Sequence, residues 1–267
     1  MRQKNNNQVH LNGFVKNVEV VNFEDKNFFN VLVGTSETIP GKDPKYTTHM
    51  VKVNAEGDLA DQLKGIAESK DEKHSISLDG HLVANEKDGK KFFYVSADAT
   101  SVALDSKIQK GESRNTISIE GNVARLETYP EHGLAVASIA VKYWVPGEST
   151  NYKGETQPYT EKANFLEVRI NQNRLPETYE QLTSGEIAVG DLIGIRGQMH
   201  NDTYEKDNKK VYSMKIDANK VEIIAKKGEK KNQAEETAQK TEKKTEKKAV
   251  AKKTEAKKGK KAKGMTM

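Results

Sequence analysis

The strongest constraint on this chain is that one pattern is written twice. Val9-His10-Leu11-Asn12-Gly13-Phe14-Val15 returns as Ile117-Ser118-Ile119-Glu120-Gly121-Asn122-Val123. Ile76-Ser77-Leu78-Asp79-Gly80-His81-Leu82 returns as Ile193-Gly194-Ile195-Arg196-Gly197-Gln198-Met199. Tyr94-Val95-Ser96-Ala97-Asp98-Ala99 is answered by Tyr212-Ser213-Met214-Lys215-Ile216-Asp217-Ala218. Three matches in the same order define a repeat, and variable spacing between them reads as loop insertions. Two copies are too few for a solenoid, so each copy is expected to close on itself.

The charge pattern separates a third region. The 267 residues carry a net charge of +5. Residues 226–267 hold 16 Lys and 6 Glu, or +10, which leaves −5 for residues 1–225. The folded part is thus mildly acidic, and the basic pI belongs to the tail. That tail alternates Lys pairs with Thr, Glu and Ala and has almost nothing to bury, so it is expected to be disordered. Boundaries follow at 1–110, 111–225 and 226–267. The chain has no cysteine, so disulfides and thiolate metal sites are excluded. The first residues lack the apolar core of a signal peptide, and no apolar run has membrane-span length. A soluble cytoplasmic protein with no membrane association is expected.

Periodicity supplies the elements. In the first copy, Val9–Val21, Phe28–Thr35, Thr47–Asn54, Ser75–Val83 and Phe92–Val102 read as strands. Leu59, Leu63 and Ile66 have helical spacing between the third and fourth strands. In the second copy the strands are Thr116–Glu127, Leu134–Trp144, Phe165–Asn171, Asp191–His200 and Val211–Ile224. A short helix with Tyr179 and Leu182 follows Pro176. Five strands with a helix after the third is the pattern of an OB-fold, a five-stranded Greek-key barrel. The fold class is therefore all-β: two tandem OB-folds, each with one short helix, followed by the tail. Gly13 and Gly121 fit a bulge or bend in a long, curling first strand.

These residues carry a resemblance. Val9–Val15, Val33-Gly34-Thr35-Ser36-Glu37, Leu59–Ile66 and Leu78-Asp79-Gly80-His81-Leu82 are similar to the ordered elements of the bacterial and phage single-stranded DNA-binding proteins. The resemblance covers nearly all of the first copy and, more loosely, the second. It implies sequence-independent coating of single-stranded DNA in replication, recombination or repair, and a stacking Trp just past the second strand, near Trp144. Family members usually carry one such domain and form tetramers, so two domains here imply a monomer or a self-associated dimer. The family's tail is commonly acidic with a hydrophobic tip, whereas this chain ends in Lys260-Lys261-Ala262-Lys263-Gly264-Met265-Thr266-Met267. The family's third-strand aromatics are replaced in the first copy by Thr48, Met50 and Asn54.

Binding single strands calls for a positive groove and rings that stack on bases, each stacked base contributing roughly 1–3 kcal/mol. Alternation in the second copy turns Lys142, Trp144, Phe165 and Arg169 outward, and the intervening loop adds Tyr152, Lys153 and Tyr159. Lys209, Lys210 and Tyr212 begin its last strand, and Arg196 projects from its fourth. The first copy offers Phe28, then Lys42, Lys45, Tyr46 and Lys52 around its third strand, and Lys90, Lys91 and Phe92 at its last. The competing role for Trp144 and Phe165 is packing within the fold, and Phe92 and Phe93 compete with a place in the core. The tail lysines can release counterions from any nucleic acid. RNA is the alternative ligand, and a protein–protein adaptor is the alternative from another class.

No phosphate loop, dinucleotide glycine motif or nucleophile elbow is present. The six His have no metal-ligand spacing. The reading is therefore of a protein that is not an enzyme, with no cofactor and no small-molecule substrate.

Overall fold

A computed structural model describes residues 2–3, 5–23, 26–37, 45–69, 74–87, 90–97, 99–105, 113–150, 156–206 and 209–228. The chain divides into two units, Met1–Ile224 and Ala225–Met267. The expected disorder of the tail lies outside the described residues.

After a two-residue strand β1 (Arg2–Gln3), the first half contains β2 (Asn7–Phe23), β3 (Lys26–Glu37), β4 (Lys45–Asn54), helix α1 (Gly57–Glu68), β5 (Ser75–Lys87), β6 (Lys90–Ala97) and the short β7 (Ala103–Leu104). The second half contains β8 (Arg114–Tyr129), β9 (Leu134–Thr150), β10 (Thr156–Asn171), helix α2 (Pro176–Thr183), β11 (Leu192–Lys206) and β12 (Lys209–Ala225). Strand order runs β2-β3-β4-β6-β5, and β5 returns to β2, which closes the first barrel. Order β8-β9-β10-β12-β11, with β11 back on β8, closes the second. In both barrels the third and fifth strands are parallel, as Val51 with Val95 and Val168 with Ile216. This is the expected pair of Greek-key barrels.

Alternation fills each barrel. Leu11, Phe29, Val31, Val33, Val51 and Val53 are fully buried in the first half, and Ile119, Ile139, Val141, Leu166 and Val168 in the second. Helix α1 contributes Ala60 and Leu63, and α2 contributes Tyr179 and Leu182. Burying such apolar side chains stabilises by about 1.5–3 kcal/mol each.

The bulges fall a little beyond the glycines. Register shifts occur between Val15 and Asn17 against β3, and between Val123 and Arg125 against β9. Gly13 and Gly121 instead mark close approach. A Cβ on Gly13 would lie 2.3 Å from the Gly34 carbonyl oxygen, and one on Gly121 would lie 2.7 Å from that of Ala140.

The two barrels share one sheet. β2 pairs with β8 from Asn7–Ile119 to Asn12–Arg114, with the equivalent residues Val9 and Ile117 directly opposed. That pairing covers two edges that would otherwise be open templates for association. Each half also reaches across. The Asn5 side-chain oxygen accepts from Lys142 N–H at 3.2 Å, and the Ser113 hydroxyl oxygen accepts from Ser36 N–H at 2.7 Å. Matching asparagines hold the fourth strands. The Asn7 side chain donates to Leu82 C=O at 2.8 Å and accepts from Leu82 N–H at 3.0 Å. Asn115 does the same to Met199, at 2.6 and 3.1 Å.

Three expected elements are corrected. The last strand of the first copy ends at Ala97, not Val102, because its parallel partner β4 runs out at Asn54. The chain then makes a 3-10 turn over Ala99–Ser101 and returns to β5 as β7. In the second copy, β9 extends to Thr150 and β10 begins at Thr156, so most of the expected loop is a long hairpin. Pro158 falls at the register shift between Gln157 and Tyr159, where its missing N–H costs the ladder nothing.

Candidate nucleic-acid interface

The long β9–β10 hairpin carries the best-formed ring surface. Its alternation buries Ile139, Val141, Leu166, Val168 and Ile170 and leaves the opposite face to Lys142, Trp144, Phe165 and Arg169. Trp144 is half-buried and meets the Tyr159 ring edge-on, with centroids 4.7 Å apart and planes at 67°. Aromatic pairs of this kind hold each other in place. Phe165 is 46% exposed and lies opposite the small Ala140, so a broad part of its face is open. Tyr159 belongs to β10 rather than to a loop, which corrects its expected setting and gives the Trp144 contact a rigid base.

Cations on this face have partners. Lys142 Nζ is 2.6 Å from Glu161 Oε1, and Glu161 is in register with Trp144. Arg169 makes a two-pronged contact with Asp217, Nε to Oδ1 at 2.6 Å and Nη2 to Oδ2 at 2.8 Å. Arg169 lies on the outward face, where its planar guanidinium is matched by a carboxylate on the neighbouring strand.

The first barrel presents a second, looser patch. Tyr46 is 75% exposed on β4, Met50 is 41% exposed, and Phe92 is 51% exposed on β6. Lys52 stands 4.3 Å above the Tyr94 ring, a cation–π contact. Phe28 is half-buried and opposite Asn54. Phe93 turns to the core while Phe92 does not, as their alternation requires. Tyr94 was missed as a surface residue, although it shares the parity of Phe92. Glu161 and Asp217 were missed because a strand pattern does not tell which side chains meet across strands.

Arg196 is not brought to either patch. It lines a groove of about 760 Å³ along the β2–β8 seam, together with His10, Asp79, His81 and Asn219. There His10 Nδ1 is 2.8 Å from Asp79 Oδ1. Lys45, Lys90, Lys91, Lys209, Lys210 and Tyr212 lie on strands, but their side chains are outside the described residues. Lys42, Tyr152 and Lys153 lie wholly outside them. Among the described residues no group of His, Asp and Glu is arranged to hold a metal ion, and no helix is long and apolar enough to cross a membrane.

Buried on β4 of the first barrel, His49 exchanges a 3.1 Å hydrogen bond with the Thr35 hydroxyl. Burial, and then the nearby His200, lower its pKa from 6.5 to about 4. It is a neutral structural histidine at pH 7.

Solved structures supply the comparison. A crystal structure of a deletion variant of the single-stranded DNA-binding protein from Thermus aquaticus matches with a TM-score of 0.55 and 20% identity, over 83% of this chain and 96% of that one. The wild-type protein matches with the same TM-score and 16% identity, over 83% and 94%. The fold is shared with that protein. A match over 83% of the chain is longer than either half, so it runs through both barrels. No family model matches the sequence, and no curated protein does.

Proposed function

We propose that the chain binds single-stranded DNA without sequence preference and coats it in replication, recombination or repair. The observation that carries this is the Trp144–Tyr159–Phe165 ring surface, built on a barrel pair shared with a protein named for single-stranded DNA binding. Every base has a face to stack, so such rings bind without reading sequence. Binding would shift the duplex equilibrium toward single strands by mass action, with no catalytic step. The units are two OB barrels, residues 1–110 and 111–225, and a basic tail over 226–267. Its setting is the cytoplasm, of a bacterium or of a phage's host. Phe165, at 46% exposure, supports the binding role over the packing role and weighs against a protein adaptor.

The test is a titration of the full chain with oligo-dT, oligo-U and duplex DNA at two salt concentrations. Tight, salt-dependent binding of oligo-dT and weak binding of duplex is expected. Preference for oligo-U would make RNA the ligand, and failure to bind any of the three would leave the adaptor role.

A further inference from the structure

Among the described residues, three cations of the second barrel's face are paired with carboxylates on the same face. Lys142 pairs with Glu161, Arg169 with Asp217, and Lys215 Nζ lies 4.0 Å from Glu167 Oε1. All six side chains are between 21% and 42% exposed, so these pairs are only partly screened by water. The first barrel differs at the matching places. The parallel registers Val51–Val95 and Val168–Ile216 align Lys52 with Arg169 and Ser96 with Asp217. They also align Met50 with Glu167 and Tyr94 with Lys215. Lys52 therefore rests on an aromatic ring, where its counterpart grips a carboxylate.

We propose that Glu161, Glu167 and Asp217 act as built-in phosphate mimics, so that the second barrel takes a single strand through its rings while the salt-dependent contacts come from elsewhere in the chain, beginning with Lys52. The inference rests on the proposed single-strand binding. A phosphate reaching Lys142 must displace the Glu161 carboxylate, which then recruits a cation of its own. The net release of counterions at that contact is close to zero, and with it the contribution to the salt slope. A free lysine gains the full effect, a slope of about −0.7 per contact on single strands. Specificity gains as well: a face neutral to phosphates discriminates against duplex, whose bases are not available to its rings.

The test measures oligo-dT affinity of the full chain at 50 and 200 mM salt. Glu161→Gln is expected to steepen the slope by about 0.7, which widens the ratio of the two affinities about 2.6-fold. Adding Lys142→Gln to that variant should return the slope to that of the unaltered chain. Glu167→Gln is a second, independent release of Lys215 and should steepen the slope in the same way, with thermal melting to show that each variant is folded. An unchanged slope in both single variants overturns the inference. So does a Lys142→Gln single variant that flattens the slope by the same 0.7, because Lys142 would then already be on a phosphate. These results differ from a chain that binds no oligo-dT at all, which removes the proposed function together with the inference.

Discussion

Trp144 is the only tryptophan of the chain, so its emission reports one site. It sits edge-on to Tyr159 with a partly open face, and a base stacked on that face should quench it. Trp144→Ala should weaken oligo-dT binding by roughly 1–3 kcal/mol, the usual worth of a stacked base. The salt slope should stay as it is, since no phosphate contact is removed. A variant that loses stability and keeps its affinity would assign the ring to the fold. His49 tests a different quantity. Its folded pKa of about 4 lies below the unfolded value of 6.5, so between these pH values the unfolded chain holds a proton that the folded chain does not. Stability is then full above pH 6.5, falls as the pH drops through this window, and levels off below about 4. The whole effect is about 3 kcal/mol. His49→Gln should be less acid-sensitive than the unaltered chain in urea unfolding at pH 7 and pH 4.5, and equal sensitivity would refute the assignment.

At the scale of elements, the first strand of each barrel bends over its neighbour with no room for a side chain. Gly13→Ala and Gly121→Ala each force a methyl against a backbone oxygen. A backbone cannot rotate away as a side-chain tip can, so each substitution should cost about 1–3 kcal/mol in urea unfolding. Gly65 is the contrast. It lies inside α1 with no atom within 4 Å of an added Cβ, and Gly65→Ala should stabilise by about 0.5–1 kcal/mol through lower backbone entropy in the unfolded chain. If both kinds of substitution had the same sign, packing would not be what conserves the repeated glycine between the two halves. The asparagine clamps follow the same logic. Losing Asn7 would leave the Leu82 N–H and C=O without their side-chain partner in a buried place, whereas a surface asparagine would be replaced by water.

At the scale of the molecule, the barrels and the tail divide the electrostatics. The region up to Ala225 is net acidic and the region beyond it is strongly basic. Truncation after Ala225 should leave the melting temperature unchanged, because the tail has no apolar face to contribute to the core. The same truncation should flatten the salt dependence of oligo-dT binding and leave Trp144 quenching at saturation intact. A melting point lowered by many degrees would mean that the tail docks on the barrels. The shared β2–β8 ladder and the crossing arms at Asn5 and Ser113 tie the halves into one unit. That arrangement makes each barrel's first edge part of the other's support.

The repeat, the order of strands and the inward residues were all readable in the chain, because a barrel strand alternates and its buried half must be apolar whatever lies opposite. Leu11, Val31, Leu166 and Val168 needed no partner to be placed. The Tyr159 setting, the end of β6 and the pairing of Lys142, Arg169 and Lys215 were not readable. Each depends on which residue of another strand falls opposite, and register is set by bulges and turns far along the chain. Charge is the clearest case: the outward Lys142 and Arg169 promised a positive surface, and only the tertiary register brought a carboxylate to each of them.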